Sequence, residues 1–299
     1  MNRTKKVSLV LSGGGARGLA HIGVIEELEK RGYEIHSISG TSMGAVVGAV
    51  YATGNLEAFK AWILNLDKLD IFKLIDFTLI NKGLVKGDRI FNELKTFIPK
   101  VNIEDLKINY AAVAADITHR EEVVFTQGDL LDAIRASASI PSVFTPVING
   151  ESTLVDGGVV NNIPINHAKR IVNDILIAVN VNSNVLLPEK EPTKEVEEKQ
   201  LFYQGLLNSF YAGLSKLIPY ENKNSLGYFD IMNNSYEMMR DQLVKLYLEI
   251  NPPDVLIETS RSISSIYDFY KAEELIENGQ LAAELSLNSF EIKKHKVKA

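Results

Sequence analysis

The first fifty residues alternate between short apolar runs and segments with a helical spacing of apolar positions. Residues 7–11 are typical of a buried strand, and residues 19–31 place apolar side chains on one face of a helix that ends at the C-cap Gly32. A second strand is predicted at about 35–39, and a second helix, rich in small residues, at 45–53. This βαβα order predicts a parallel sheet with helices on both faces.

Further strand-like segments continue to near the end of the chain. They lie at residues 110–115, 122–126, 152–155, 175–180 and 255–258. Because both ends of the chain contribute strands, we expect one sheet and therefore one domain, residues 1–299. The predicted fold is an α/β class, three-layer α/β/α sandwich around a mainly parallel central sheet.

Two long helix-forming segments, at about 56–106 and 183–251, interrupt this alternation. Each is either a helical layer packed on the sheet or a cap that binds acyl chains or touches a membrane surface. The apolar residues 71–80 are the candidate for transient membrane contact. The basic end of the chain, about 290–299, is predicted to be solvated and frayed.

Composition excludes several classes of function. A formal net charge of −6 offers no basic field for nucleic acid, so no nucleic-acid partner is expected. The absence of cysteine excludes disulfides, thiolate metal sites and cysteine nucleophiles, and no metal or other cofactor is expected. The first apolar run is too short for a signal peptide, and no stretch of about 18 apolar residues predicts a membrane-spanning helix. We therefore expect a cytoplasmic protein that touches membranes peripherally at most.

One candidate nucleophile stands between a predicted strand and a predicted helix. Gly40-Thr41-Ser42-Met43-Gly44 matches the pattern G-x-S-x-G in that context. Gly40 and Gly44 avoid side chains that would collide at such a sharp turn, and the turn lifts the Ser42 hydroxyl out of the sheet. The positive end of the following helix favours the oxyanion formed on attack. Ser42 is the predicted nucleophile.

A glycine-rich loop, Gly-Gly-Gly-Ala-Arg-Gly at residues 13–18, also lies between a strand and a helix. Consecutive glycines let backbone N–H groups point into a concavity that holds a negative oxygen. We favour an oxyanion hole, and its candidate donors are the amides of Gly13, Gly14, Gly15 and Met43. A merely structural turn is the plainest alternative.

The same loop also fits the dinucleotide pattern G-x-G-x-x-G through Gly13, Gly15 and Gly18. That pattern expects an acidic residue about 20 residues on, at the end of the next strand, and Ser42 stands there instead. Nucleotide binding therefore remains only an alternative. Arg17 either steers a phosphate group or orders the loop, and Gly18 belongs to the same segment.

A serine needs a base within hydrogen-bond reach, and none of the five histidines has a catalytic setting in the sequence. His36 precedes the apolar part of a strand, His119 lies in a polar turn and His295 in the basic tail. His21 follows the glycine loop, where packing is its expected role. His167 has the chain position of a triad histidine but lies in a polar segment.

Asp156 is the other candidate base. It ends a predicted strand and is followed at once by Gly157 and Gly158. Strand ends are where such sheets build their sites, and a partly desolvated carboxylate is basic enough to accept the serine proton. The alternative is an Asx-turn in which the carboxylate only caps the Asp-Gly-Gly turn. The residue alone leaves both open.

Taken together and in this order, five segments of the chain resemble motifs of the patatin-like phospholipase family. Residues 12–18 are similar to its glycine-rich oxyanion block, residues 40–45 to its nucleophile elbow and residues 134–141 to its Arg-Ala-Ser block. Residues 156–158 are similar to the segment with its dyad acid, and residues 162–164 to the segment that follows. The resemblance covers about residues 7–180 and returns at 254–283, while Gly158 replaces an alanine of the plant proteins.

The resemblance implies a Ser42–Asp156 dyad without a catalytic histidine, on a patatin-like fold with helical cap insertions. It further implies a serine acyl hydrolase of the phospholipase A, lysophospholipase or esterase type, with a lipid or other ester as substrate. A nucleotide-binding protein and a non-catalytic lipid-surface protein are the alternatives.

Overall fold

The computed structural model describes residues 5–66, 87–141, 143–186 and 228–298. In these ranges the strands are β1 Lys5–Leu11, β2 Tyr33–Thr41, β3 Asn109–Asp116, β4 Glu121–Phe125, β5 Val147–Asn149, β6 Ser152–Asp156, β7 Ile175–Ser183 and β8 Val255–Ser260. The α-helices are α1 Ala20–Lys30, α2 Met43–Ala52, α3 Leu56–Asn65, α4 Asp88–Leu94, α5 Leu130–Ser137, α6 Tyr228–Ile250 and α7 Ala272–Lys298.

All the described strands join one sheet in the order β5-β6-β3-β2-β1-β7-β8, with β4 also paired to β3. The neighbours β3-β2-β1-β7-β8 are parallel, whereas β4, β5 and β6 run antiparallel to their partners. The predicted α/β fold with a mainly parallel sheet is confirmed. Every predicted strand is present, but the short β5 was not predicted.

The core divides into layers on the two faces of the sheet. Leu9 and Leu11 pack on the face covered by α1, α2, α3 and α7, whereas Val10 packs on the opposite face with Val244 of α6. Side chains alternate along a strand, so a continuous apolar run such as β1 must be covered on both sides. This arrangement is the three-layer sandwich expected from the sequence.

β3 sets the relative position of two other strands. The end of β2 pairs with it through Thr41 and Val113, and the next residue of β3, Ala114, pairs with Asp156 at the end of β6. β4 pairs with residues 112–116 of β3, so β2 and β6 must share the other edge. The carboxyl ends of β2 and β6 therefore meet end to end.

The first helix-forming segment is a layer packed on the sheet where the structure describes it. Phe59, Ile63, Leu94 and Ile98 all belong to the main core. The apolar residues 71–80 lie outside the described residues, as does most of the second segment up to residue 227.

The frayed end predicted for residues 290–299 is wrong, because α7 continues through Lys298. Its Glu291 carboxylate accepts hydrogen bonds from the Lys5 ammonium (2.7 Å) and the Tyr33 hydroxyl (2.9 Å). These contacts fix the last turns of the helix to the first two strands.

Candidate active site

Ser42 occupies a strained position at the junction of β2 and α2. Its φ of 55° and ψ of −125° place a non-glycine residue in a conformation that costs about 1–3 kcal/mol. The turn is tight because α2 begins against the end of β1: a side chain on Gly44 would start 2.3 Å from the Leu11 carbonyl oxygen. A side chain on Gly40 would meet the Ala45 amide nitrogen at 2.6 Å. Both glycines of the motif are thus sterically required.

Asp156 is the residue that the sheet brings to Ser42. Both side chains are buried, each residue being 4% exposed, and the Ser42 hydroxyl lies close enough to the Asp156 carboxyl to lower its pKa. The Gly158 N–H also donates to this carboxyl, at 2.7 Å. The Asx-turn and the approach to the serine, which the sequence left as alternatives, therefore occur together. A side chain on Gly157 would meet the Val113 carbonyl oxygen at 2.3 Å, so this turn requires glycine.

Burial changes the acidity of this carboxyl. It raises the pKa of Asp156 to about 6, against the lowering effects of the Ser42 and Gly158 hydrogen bonds and of the Arg240 charge. A carboxylate with such a pKa is a stronger base than an exposed aspartate and is still ionised at neutral pH.

The segment from α5 to its following turn holds both residues in place. The Ser42 N–H donates to the Ser137 hydroxyl oxygen at 2.9 Å, and the Asp156 N–H donates to the Ser139 carbonyl at 2.9 Å. Sequence reasoning identified this segment only as a block of family resemblance. Its role is visible once the fold brings residues 42, 137 and 156 together.

The glycine loop lies beside Ser42, but its first amide is already used. The Gly13 N–H donates to the Asn162 carbonyl at 3.0 Å, so the prediction that Gly13 is an oxyanion donor is wrong. The amides of Gly14, Gly15 and Met43 have no acceptor among the residues described here. These three N–H groups are available to a ligand.

The loop is shaped by close packing around its glycines. A side chain on Gly13 would start 3.1 Å from the Ser42 Cβ, and one on Gly14 would start 2.4 Å from Val181 Cγ2. Gly15 has a φ of +55° and would place a side chain 2.4 Å from the Ile266 carbonyl oxygen. Glycine is therefore required at each of these positions.

Arg17 makes contacts that order this loop. Its guanidinium donates to the Asn182 side-chain oxygen at 2.9 Å, and the Asn182 amide donates to the Gly13 carbonyl at 2.6 Å. A side chain on Gly18 would collide with Met43 Cγ at 2.5 Å, so the loop also packs on the elbow. Loop ordering, one of the two roles considered for Arg17, thus has a direct structural basis.

The histidines described with side chains bind elsewhere. His21 hydrogen-bonds the Ser12 carbonyl at 2.8 Å through Nε2, and burial lowers the pKa of His21 to about 4, which keeps it neutral. His119 pairs with Asp116 at 2.7 Å, and His167 with Glu122 at 3.0 Å. The His295 side chain lies outside the described part of the chain.

A second group of serine, histidine and aspartate lies away from the carboxyl ends of β2 and β6, where Ser42 and Asp156 are found. Ser8 Oγ, His36 Nε2 and Asp174 Oδ2 lie within 3.3 Å of one another. The same imidazole nitrogen contacts both partners, so the ring cannot pass a proton from the serine to the aspartate through its two nitrogens. Ser8 is also fully buried, so a substrate cannot reach its hydroxyl. This cluster is structural.

One group could supply metal ligands by distance alone. Asp116, His119 and Glu121 bring ligand atoms within 4.8 Å of one another. Asp116, however, already accepts hydrogen bonds from the Thr118 N–H (2.8 Å) and the His119 ring. These bonds close the turn between β3 and β4, which is its evident role.

α6 contributes two residues that sequence reasoning did not find. Tyr236 places its hydroxyl 3.2 Å from where a side chain on Gly158 would start, and Arg240 acts electrostatically on Asp156. A single arginine or tyrosine on an amphipathic helix carries no sequence signal of its own, because such residues are common on surface helices.

Comparisons with known proteins identify relatives of this chain. Residues 9–169 match the sequence model of the family described as patatin-like phospholipase. An uncharacterized NTE family protein of Mycobacterium tuberculosis is 31% identical over 333 aligned positions, which cover 96% of this chain and 92% of that protein. The lysophospholipase NTE1 of Pyricularia oryzae is 36% identical over 188 positions, 60% of this chain and 12% of that much longer protein.

Among solved structures, VipD from Legionella pneumophila aligns with a TM-score of 0.47 and 15% sequence identity. The alignment covers 96% of this chain and 67% of VipD. None of the described helices is long and apolar enough to cross a membrane. The family match spans more than half of the chain and contains the elbow, the glycine loop and Asp156. The chain belongs to the patatin-like phospholipase family.

Proposed function

We propose that this protein is a serine lipid acyl hydrolase in which Ser42 is the nucleophile and Asp156 is the general base. The observation that carries the proposal is that β2 and β6 meet end to end on β3, which places buried Asp156 beside buried Ser42 at a strained elbow. Family membership supports the lipid ester as substrate, since relatives include proteins named lysophospholipases. The lack of any histidine beside Ser42 among the described side chains supports a dyad over a triad.

In the proposed reaction, Asp156 accepts the Ser42 proton as the serine oxygen bonds to the ester carbonyl carbon. The N–H groups of Gly14, Gly15 and Met43 stabilise the resulting oxyanion. When the tetrahedral intermediate collapses, the ester C–O bond breaks and protonated Asp156 gives its proton to the leaving alcohol. A water molecule then attacks the acyl-enzyme with Asp156 again as base, which releases the fatty acid and returns the proton to Ser42.

Labelling with a fluorophosphonate tests the nucleophile. Wild-type protein and the control Ser289→Ala, an exposed position on α7, should both be labelled, whereas Ser42→Ala should not. Labelling of Ser42→Ala at the wild-type rate would refute the assignment. The same assay distinguishes the hydrolase from a nucleotide-binding or non-catalytic lipid-surface protein, neither of which requires a reactive serine.

Turnover of a nitrophenyl ester and of a phospholipid tests the base. Asp156→Asn cannot accept the serine proton, so both activities should fall by at least about 100-fold, the lower range for loss of a general base. Circular dichroism and the unfolding midpoint confirm that the variant is folded. Near-normal turnover by folded Asp156→Asn would exclude the dyad.

A further inference from the structure

The inner face of α6 carries a buried arginine, Arg240, two of whose three guanidinium nitrogens have no hydrogen-bond acceptor among the described residues. Arg240 is 7% exposed, and its Nε and Nη2 have no hydrogen-bond partner among the residues described here. The nearest carboxylates, Asp241 and Glu237, lie 3.6 Å and 4.0 Å from Nη2, beyond ordinary hydrogen-bond distance. Burying guanidinium nitrogens without acceptors is costly, and an anionic ligand would supply those acceptors.

Arg17 shows the same deficit from the other side. It is 6% exposed, and its Nε has no acceptor among the described residues, although Nη1 is bound to Asn182. The Glu237 carboxylate lies 3.8 Å from Nη2 of Arg17. Burial, and then the charge of Arg240, lowers the pKa of Arg17 to about 10. Both guanidinium groups lie within 4.0 Å of the same Glu237 oxygen.

The carboxylates nearby balance this charge only while Asp156 is ionised. Arg261 pairs with Asp241 at 2.6 Å, Arg240 lies 3.6 Å from Asp241 and 4.0 Å from Glu237, and Arg17 lies 3.8 Å from Glu237. The three arginines and two acids leave one positive charge in excess before Asp156 is counted. During acylation Asp156 becomes protonated and neutral, so the excess is largest while the ester is bound and reacting.

The cluster also lies beside the reacting groups. Arg240 stands 6.0 Å from the centre of the Tyr236 ring, and the Tyr236 hydroxyl approaches Gly158, two residues after the base. Arg17 belongs to the glycine loop, which packs against the nucleophile: a side chain on Gly13 would start 3.1 Å from the Ser42 Cβ. An anion held between the two arginines would thus be part of a molecule whose ester reaches the serine.

We infer that Arg240, together with Arg17, binds the phosphate of a phosphate-bearing acyl ester and makes α6 a specificity-determining element of the active site. The inference rests on the proposed function and names its substrate class: phosphate-bearing glycerolipids over neutral glycerides. A guanidinium offers the planar pair of N–H donors that binds two phosphate oxygens at once. Free phosphate has the same chemistry and must be distinguished by experiment.

A matched pair of substrates tests the inference. A monoacylglycerol and the monoacylglycerol phosphate with the same acyl chain differ only in the phosphate, and kcat/KM is measured for both below the aggregation concentration. Arg240→Gln should lower the phosphate-to-neutral ratio of kcat/KM by about 10–100-fold, as expected for lost hydrogen bonds to a charged group. Arg240→Lys keeps the charge without the paired donors and should recover part of the ratio.

The matched control is Lys245→Gln on the same helix, whose side chain is 71% exposed. It should leave the ratio at the wild-type value. An equal fall on both substrates in Arg240→Gln would instead assign Arg240 to the electrostatics of Asp156 and overturn the inference. An unchanged ratio would also overturn it.

Binding to Ser42→Ala separates this inference from the proposed function, because it does not need turnover. The phosphate lipid should bind Ser42→Ala about tenfold or more tightly than the variant that also carries Arg240→Gln. If the wild type hydrolyses neither substrate but this difference holds, the proposed hydrolase function fails and the phosphate site stands. If glycerol phosphate or inorganic phosphate binds as tightly as the lipid, the site is for free phosphate and the substrate assignment fails.

Discussion

Replacing the proposed base should make the folded protein more stable relative to wild type as the pH rises, while it abolishes turnover. Burial raises the pKa of Asp156 from its ordinary value of 3.8 to about 6, which corresponds to about 3 kcal/mol against the ionised form. The folded protein therefore keeps a proton that the unfolded chain has released between these two pH values. Stability is lost as the pH rises through this window, because the charge must then be buried.

Asp156→Asn removes this dependence, since asparagine carries no charge at any pH. The free energy of unfolding of the variant, minus that of wild type, should increase by about 1.4 kcal/mol between about pH 5 and pH 8. Urea unfolding at matched pH values measures the difference, in which the titration of all other groups cancels. The absolute offset between asparagine and aspartate does not matter, because only its change with pH is predicted.

Two further observations decide this prediction. In wild type, kcat/KM should fall on the acidic side with a midpoint near pH 6, as Asp156 becomes protonated in the free enzyme. The control Asp132→Asn, at an exposed position on α5, should keep the wild-type pH profile of kcat/KM. The reasoning would be refuted if the difference in unfolding free energy between Asp156→Asn and wild type did not change with pH. It would also be refuted if the acidic limb of the wild-type kcat/KM profile had its midpoint at about pH 4.

Other changes probe the frame around the dyad. Ser137→Ala leaves the buried Ser42 N–H without its acceptor, so urea unfolding should show a loss of about 1–3 kcal/mol with reduced turnover; full stability would contradict this. Gly14→Ala should impair ester hydrolysis, because the new Cβ would lie 2.4 Å from Val181 Cγ2. Adding Val181→Ala should restore part of the lost activity. If no activity returned, the loop backbone itself would be what excludes a side chain. Removing other histidines should change turnover by less than about threefold, and a loss above about 100-fold would indicate histidine catalysis. The variants for this last test are His36→Gln, His119→Gln and His167→Gln.

Sequence patterns located the local parts of the site well. The elbow is encoded within five residues, because a strand, a helix and two glycines are all contiguous with Ser42. Strands buried on both faces, such as β1, appear as continuous apolar runs. β5 was missed because three residues, two of them exposed, give no such pattern.

The long-range parts required the fold. The Gly13 amide is used by Asn162, far along the chain, which loop composition cannot indicate. Asp156 faces Ser42 only because of the pairing along β3. Arg240 gave no signal, since its chemistry depends on being buried without an acceptor beside residues from three distant segments.

The end-to-end meeting of β2 and β6 on β3 makes the dyad independent of the length of the chain between its members. Insertions in the connections leave the nucleophile and base aligned as long as both strands keep their pairing with β3. A deletion of one residue within β6 would instead turn the Asp156 side chain to the opposite face of the sheet. The connecting segments can therefore change in length without moving the proposed nucleophile away from the proposed base.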